Sequence, residues 1–234
     1  MERRMKIVYW SDYACPYCYI GEARLLAAIR ELGMEDAVEL APKAFELDPG
    51  APREVESDTL TRFARKYRLS PREAQGQIDY ISALGRDCGI DFRYATTQYT
   101  NTFDAHRLMK LALSKDDREI AEKTNKLLFD AYFTKNLKLA DHEVLLNVGR
   151  EAGLDEKEVR EVLDSDRFGP EVRADEREAT ERGVRGVPFF LFPGGATIPG
   201  ALSREDFVSL LKREAGAISG AQCGPDGCVW NGGK

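Results

Sequence analysis

No apolar run in this 234-residue chain approaches the roughly 20 residues that a bilayer-spanning helix needs, which argues against a membrane partner. Positive charge is also short. The 34 Lys and Arg stand against 40 Asp and Glu, net −6, and the basic residues are scattered among acidic ones, which argues against nucleic acid as a partner. The N-terminus, Met1-Glu2-Arg3-Arg4-Met5-Lys6, is basic, but the apolar run after it is broken by Ser11-Asp12, too early for the apolar core of a secretory leader. These absences predict a cytoplasmic protein. Strand signals are missing from about Ser57 to Gly183, and internal repeats are missing throughout. Cysteine is scarce, five in all, and in a reducing compartment five are better explained by catalysis or metal than by structural bridges. The apolar share, 43%, is enough to bury a substantial core.

Four of the five cysteines are closely paired. Cys15-Pro16-Tyr17-Cys18 directly follows the apolar run Ile7-Val8-Tyr9-Trp10 and opens an amphipathic pattern through Ile20, Leu25, Leu26, Ile29 and Leu32. Cys15 is thereby placed at a helix N-terminus, where unsatisfied N–H groups and the positive end of the dipole favour a thiolate. Thiols so placed titrate below the free value of about 8.5 and are the attacking groups in disulfide exchange. Cys18, one turn on, is placed to resolve the mixed disulfide, with Pro16 and Tyr17 between them tuning the potential. A Cys-x-x-Cys is also half of many zinc sites. The flanking strand and helix favour redox chemistry here.

A second strand is predicted over Ala37–Phe45, ended by Pro49-Gly50-Ala51-Pro52. Helices are predicted around 58–67, 71–84, 102–114, 117–134, 142–152, 156–164 and 168–182, with a capping box at Ser70-Pro71-Arg72-Glu73 and further starts at Asp141 and Asp155. Strand character returns over Val187–Phe192, turns at Pro193-Gly194-Gly195 and continues in Ala196-Thr197-Ile198. A last helix starts at Ser203-Arg204-Glu205-Asp206. After Gly216 the composition shifts to small residues, as in a flexible tail.

Strand, Cys-x-x-Cys, helix and strand, then helices, then hairpin and helix, is the layout of an α/β thioredoxin-like fold with an inserted all-helical subdomain. The expected division is 1–56 and 184–215 for the thioredoxin-like part, 57–183 for the insertion and 216–234 for the tail. Ser11-Asp12 with Cys15-Pro16-Tyr17-Cys18, Asn101-Thr102 with Ala105-His106-Arg107, and Gly183-Val184-Arg185-Gly186-Val187-Pro188-Phe189-Phe190 together resemble the DsbA family, and more closely its cytoplasmic FrnE-like branch. Tyr17 stands where that branch more often carries tryptophan. The resemblance implies a cis bond before Pro188, and Val187 offering backbone groups to an extended substrate by strand-like addition. The residue type suits this, since a cis bond costs only about 0.5–1 kcal/mol before proline. The plainer reading is a strand-initiating proline.

The resemblance implies a thiol–disulfide oxidoreductase acting on protein or peptide disulfides, served by a thiol reductant such as thioredoxin or glutathione, with no cofactor and no metal. Cys223-Gly224-Pro225-Asp226-Gly227-Cys228 carries three readings: a second redox pair exchanging with Cys15 and Cys18, a zinc site, or an idle tail. Asp12 reads either as a buried proton acceptor or as a turn residue. His106 and lone Cys88 are expected as structural residues. Two rival functions remain: a glutathione-dependent isomerase or transferase of the 2-hydroxychromene-2-carboxylate isomerase or kappa type, whose members usually carry serine in place of Cys15, and a zinc-binding protein using the paired cysteines.

Overall fold

The computed structural model describes residues 4–219, 222–224 and 227–229. Strand β1 (Met5–Ser11) lies inside the sheet, and its period of two sends Met5, Ile7 and Tyr9 to one face and Val8 and Trp10 to the other. Helix α1 (Pro16–Glu31) leads to strand β2 (Val38–Ala44), which runs parallel to β1 from Met5 opposite Val38 to Ser11 opposite Ala44. Two short strands far along the chain complete the sheet. β3 (Phe189–Leu191) pairs antiparallel with β1 and β4 (Thr197–Pro199) antiparallel with β3, giving the order β2-β1-β3-β4. Their hairpin closes where Gly195, at φ +88°, donates its N–H to the Phe192 carbonyl at 2.9 Å.

Between β2 and β3 the described chain is helical: α2 (Thr59–Tyr67), α3 (Pro71–Asp87), a 3-10 turn at Tyr94–Thr96, α4 (Phe103–Leu113), α5 (Arg118–Phe133), α6 (His142–Ala152), α7 (Glu156–Leu163) and α8 (Gly169–Glu181). Local chemistry sets most of the starts. Ser70 and Glu73 form the reciprocal capping box, while Asp58, Asp117, Asp141 and Asp155 each accept from an N–H of the first turn. Helix α3 outlasts its predicted end by three residues, because nothing breaks it before Gly89 at φ +76°. Helix α9 (Arg204–Ser219) likewise continues past Gly216. Beyond it, β5 (Gln222–Gly224) and β6 (Gly227–Val229) pair antiparallel, with Cys223 opposite Cys228.

Helices α1 and α9 cover the Met5, Ile7 and Tyr9 face with Leu25, Ile29, Phe207, Leu210 and Leu211. Helix α8 holds the other face, where Trp10 Nε1 donates to the Asp175 carbonyl at 3.0 Å and Asp175 Oδ2 accepts from the Ala44 N–H at 2.8 Å. The helical insertion has its own aromatic core, in which Phe129, Tyr132 and Phe133 are fully buried. Tyr19 of α1 stacks on Phe129 at 4.8 Å with the rings 3° apart, so α1 is shared between sheet and insertion. Truncating Phe129 to alanine would cost about 3–5 kcal/mol and loosen that seam beside Cys15 and Cys18, which belong to the same core.

Candidate active site

Cys15 is the N-cap of α1, with extended backbone (φ −92°, ψ 114°), no side-chain cap and Pro16 taking the first helical turn, where its missing N–H costs nothing. Its N–H donates to the Asp12 carbonyl at 3.0 Å and its carbonyl accepts from the Cys18 N–H at 3.1 Å, so a tight turn delivers the sulfur to the helix start. Cys15 and Cys18 are both buried free thiols, at 4% and 2% exposure, while Tyr17 stands out at 38%.

Across the cleft, the Val187–Pro188 peptide is cis, and the Cys15 thiol lies 3.4 Å from the Val187 carbonyl. The Pro188 carbonyl is taken by the Gly200 N–H at 2.7 Å. Gly21 makes this approach possible. A Cβ there would stand 3.1 Å from Ala201 Cβ and 3.3 Å from Pro188 Cγ, so α1 or the proline loop would have to give by a few tenths of an ångström to admit one. Sequence reasoning paired Cys15, Cys18, Val187 and Pro188, and the structure brings all four together.

Burial pushes the Cys18 thiol well above the ordinary thiol range, and the adjacent Cys15 adds to the rise. The Asp12 backbone and Ser11 pull the other way without overcoming it. Deprotonation of Cys18 is thus the demanding proton step of any dithiol chemistry here.

Two buried carboxyls flank the dithiol. Asp12 is 2% exposed; burial would raise it, but His106 and the N–H groups of Leu47 and Ala14 hold it below the usual carboxylate range. The N–H of Leu47 reaches Oδ2 at 2.7 Å and that of Ala14 reaches Oδ1 at 3.2 Å, with His106 Nε2 3.6 Å from Oδ1. This last contact is an ion-pair distance for a protonated imidazole, beyond hydrogen-bond length. Glu22, one turn after Cys18, accepts from Tyr9 Oη at 3.0 Å and from Asn125 Nδ2 at 2.5 Å, and Asn125 Oδ1 accepts from Tyr13 Oη at 2.9 Å. Those partners are neutral. Burial therefore pushes Glu22 up to about 7 despite their hydrogen bonds. Glu22 and Tyr9 line a groove of about 1780 Å³ between α1, β2 and the α4–α5 hairpin.

Sequence reasoning missed Glu22, Tyr9, Tyr13, Asn125 and Ser11. A signal for Glu22 was present, since it interrupts the buried stripe of α1 with a charge. His106, expected as a structural residue, is 4% exposed and faces Asp12. Cys88 is the half-buried C-cap of α3. The side chains of Cys223 and Cys228 lie outside the described residues, as does the turn between their strands. Among the described residues, no group of three or more His, Cys, Asp or Glu side chains is placed to hold a metal ion. No helix among them is long and apolar enough to cross a membrane.

The chain is 35% identical to a probable DsbA oxidoreductase, SCO1869, from Streptomyces coelicolor; that crystal structure superposes with a TM-score of 0.85 over 97% of this chain and 99% of the other. It is 24% identical over 213 residues to the uncharacterized protein YwbO of Bacillus subtilis (strain 168), covering 89% of this chain and 96% of that protein. The fold is also that of a 2-hydroxychromene-2-carboxylate isomerase, with a TM-score of 0.63 at 18% identity over 92% and 96% of the two chains. A protein-family model described as a DSBA-like thioredoxin domain matches residues 6–212, and the chain belongs to that family.

Proposed function

We propose that the protein is a thiol–disulfide oxidoreductase that exchanges disulfides with protein or peptide substrates through Cys15 and Cys18. The observation that carries this reading is the Cys15 sulfur at a helix N-terminus, 3.4 Å from the Val187 carbonyl, with a second free thiol one turn deeper. In the reductive direction the Cys15 thiolate attacks a substrate disulfide, forms the Cys15 mixed disulfide and expels one substrate thiolate. The Cys18 thiolate then attacks Cys15, forming the Cys15–Cys18 disulfide and expelling the second. Two electrons pass from the dithiol to the substrate, and a thiol donor such as thioredoxin or glutathione in the cytoplasm restores it. The reverse sequence oxidises a substrate dithiol.

The Val187 backbone would align an extended substrate next to Pro188, as a strand adds to an edge. Exposed Tyr17, Tyr67 and Tyr80 on α1, α2 and α3 offer aromatic surface for its side chains. In the tail, Cys223 and Cys228 are proposed as a second pair that relays electrons to or from the dithiol, a reading supported by their opposed positions in the β5–β6 register.

The test is dithiothreitol-driven reduction of insulin by the wild type, Cys15→Ser and the Cys223→Ser/Cys228→Ser double variant. Activity abolished in Cys15→Ser is expected, with a smaller drop in the tail variant. An inactive wild type would overturn the exchange reading in favour of glutathione-dependent isomerisation or metal chemistry, and a fully active tail variant would remove the relay.

A further inference from the structure

Two polar side chains that dithiol exchange leaves unused meet in a small cavity between β2 and α4. Ser11 ends β1 at 6% exposure and His106 sits on α4 at 4%, and among the described residues neither Ser11 Oγ nor His106 Nε2 has a hydrogen-bond partner of ordinary geometry. Such atoms are rare in protein interiors and call for an explanation. Both residues line the same cavity of about 10 Å³, close to the smallest space that holds one water molecule. Ser11 is also one of the groups that favour the Cys18 thiolate against the stronger effect of burial.

The remaining charges around His106 suit it to receive a proton. Asp12, from the loop before α1, lies 3.6 Å from Nε2, and Glu46, just after β2, is within electrostatic reach while paired with Arg173 at 2.5 Å. Tyr13 packs its ring 5.0 Å from the imidazole. The cations that line the cavity, Lys43 and Lys110, are both paired with Asp175, and Lys43 also with Glu178. An imidazolium here therefore faces two carboxylates and two lysines whose charge is already answered.

Resting on the exchange chemistry proposed above, we infer that His106, balanced by Asp12, stores the proton of the resolving thiol and exchanges it with Cys18 through Ser11 and one water in the shared cavity. When Cys18 attacks the mixed disulfide, its S–H proton passes to His106 Nε2, the Cys18–Cys15 bond forms, and the Cys15–substrate bond breaks with its electron pair leaving on the substrate sulfur. When the Cys15–Cys18 disulfide is reduced, Cys18 leaves as thiolate and recovers that proton. His106 is hydrogen-bonded to neither sulfur. It is a positioning residue for a proton, and the step it governs is resolution, not the first attack.

The test follows 5-thio-2-nitrobenzoate release when the reduced full-length chain meets Ellman's reagent. One phase, lost in Cys15→Ser, reports the first attack; a second, lost in Cys18→Ser, reports resolution. His106→Gln is expected to leave the first phase unchanged and to slow the second by about a hundredfold near pH 7, the low end of general acid–base effects. The deficit should close as the pH rises and solvent hydroxide takes the proton, and Ser11→Ala should show the same defect in smaller measure with the Asp12–His106 pair intact. Absence of both phases in the wild type would sink the exchange reading itself. A resolution phase of wild-type rate and pH profile in both variants, or two phases slowed alike at every pH, would overturn the proton store while leaving exchange standing.

Discussion

Asp12 and Glu22 are both buried carboxyls within a turn or so of the same dithiol, yet the protein drives them in opposite directions. Asp12 faces two backbone N–H groups and the imidazole of His106, and stays ionised below its ordinary range. Glu22 faces a phenol and an amide, and is pushed up to about 7. Burial is common to both and raises both. What separates them is whether the groups that meet the oxygens can bear charge. The consequence for stability has opposite sign at the two sites. Asp12, with its folded value depressed, contributes stability that is fully present above the unfolded carboxylate range and is lost as pH falls from there through its lower folded value. Glu22, with its folded value raised, costs nothing below its unfolded value near 4.5, and its cost accrues as pH rises from there to about 7.

The contrast breaks most severely at Asp12. Asp12→Ala would leave the Leu47 and Ala14 N–H groups without their acceptor and remove the carboxylate that faces His106, and should cost about 3–5 kcal/mol in urea unfolding of the reduced protein at pH 7. A loss of under about 1 kcal/mol, the scale of an ordinary exposed hydrogen bond, would show that Asp12 is not an anchor. Glu22→Gln tests the other side. It should gain stability relative to the wild type by up to about 3 kcal/mol at pH 8, and by little at pH 4, if the Tyr9 hydroxyl turns to accept from the new amide. A wild type and variant with parallel pH dependence would remove the case for a raised Glu22. Tyr9→Phe is the smallest change. It deletes a hydrogen bond that lowers Glu22, so a carboxyl titration by NMR should move further upward, for a stability cost of about 1 kcal/mol.

Much of the fold was legible because its instructions are local. Ser70 caps Glu73 and Asp155 caps the start of α7 across three residues or fewer, and the apolar stripe of α1 needs only its own period to be read. The dithiol was legible for the same reason, since strand, Cys15-Pro16-Tyr17-Cys18 and helix are contiguous. The cis bond before Pro188, expected from the family resemblance, is present. What surrounds the dithiol was not legible. Tyr13 meets Asn125 across 112 positions and Glu22 meets it across 103, and no local pattern announces either contact. His106, between Ala105 and Arg107 on α4, reads as an ordinary buried histidine until Asp12 is seen opposite it.

The order of elements, the placement of Cys15 at a helix start and the presence of a second thiol one turn later can be read from the chain alone, because hydrogen-bonded caps and side-chain periods act over a few residues. The folded chain alone sets the Cys15 sulfur against Val187 and makes Cys18 hard to deprotonate. It also decides that one neighbouring acid is ionised while the other is held near neutral pH. Those outcomes depend on desolvation and on which donors reach which oxygens, and both are set by segments, those of Leu47, His106, Asn125 and Val187 among them, that lie far apart in sequence and meet only in the folded chain.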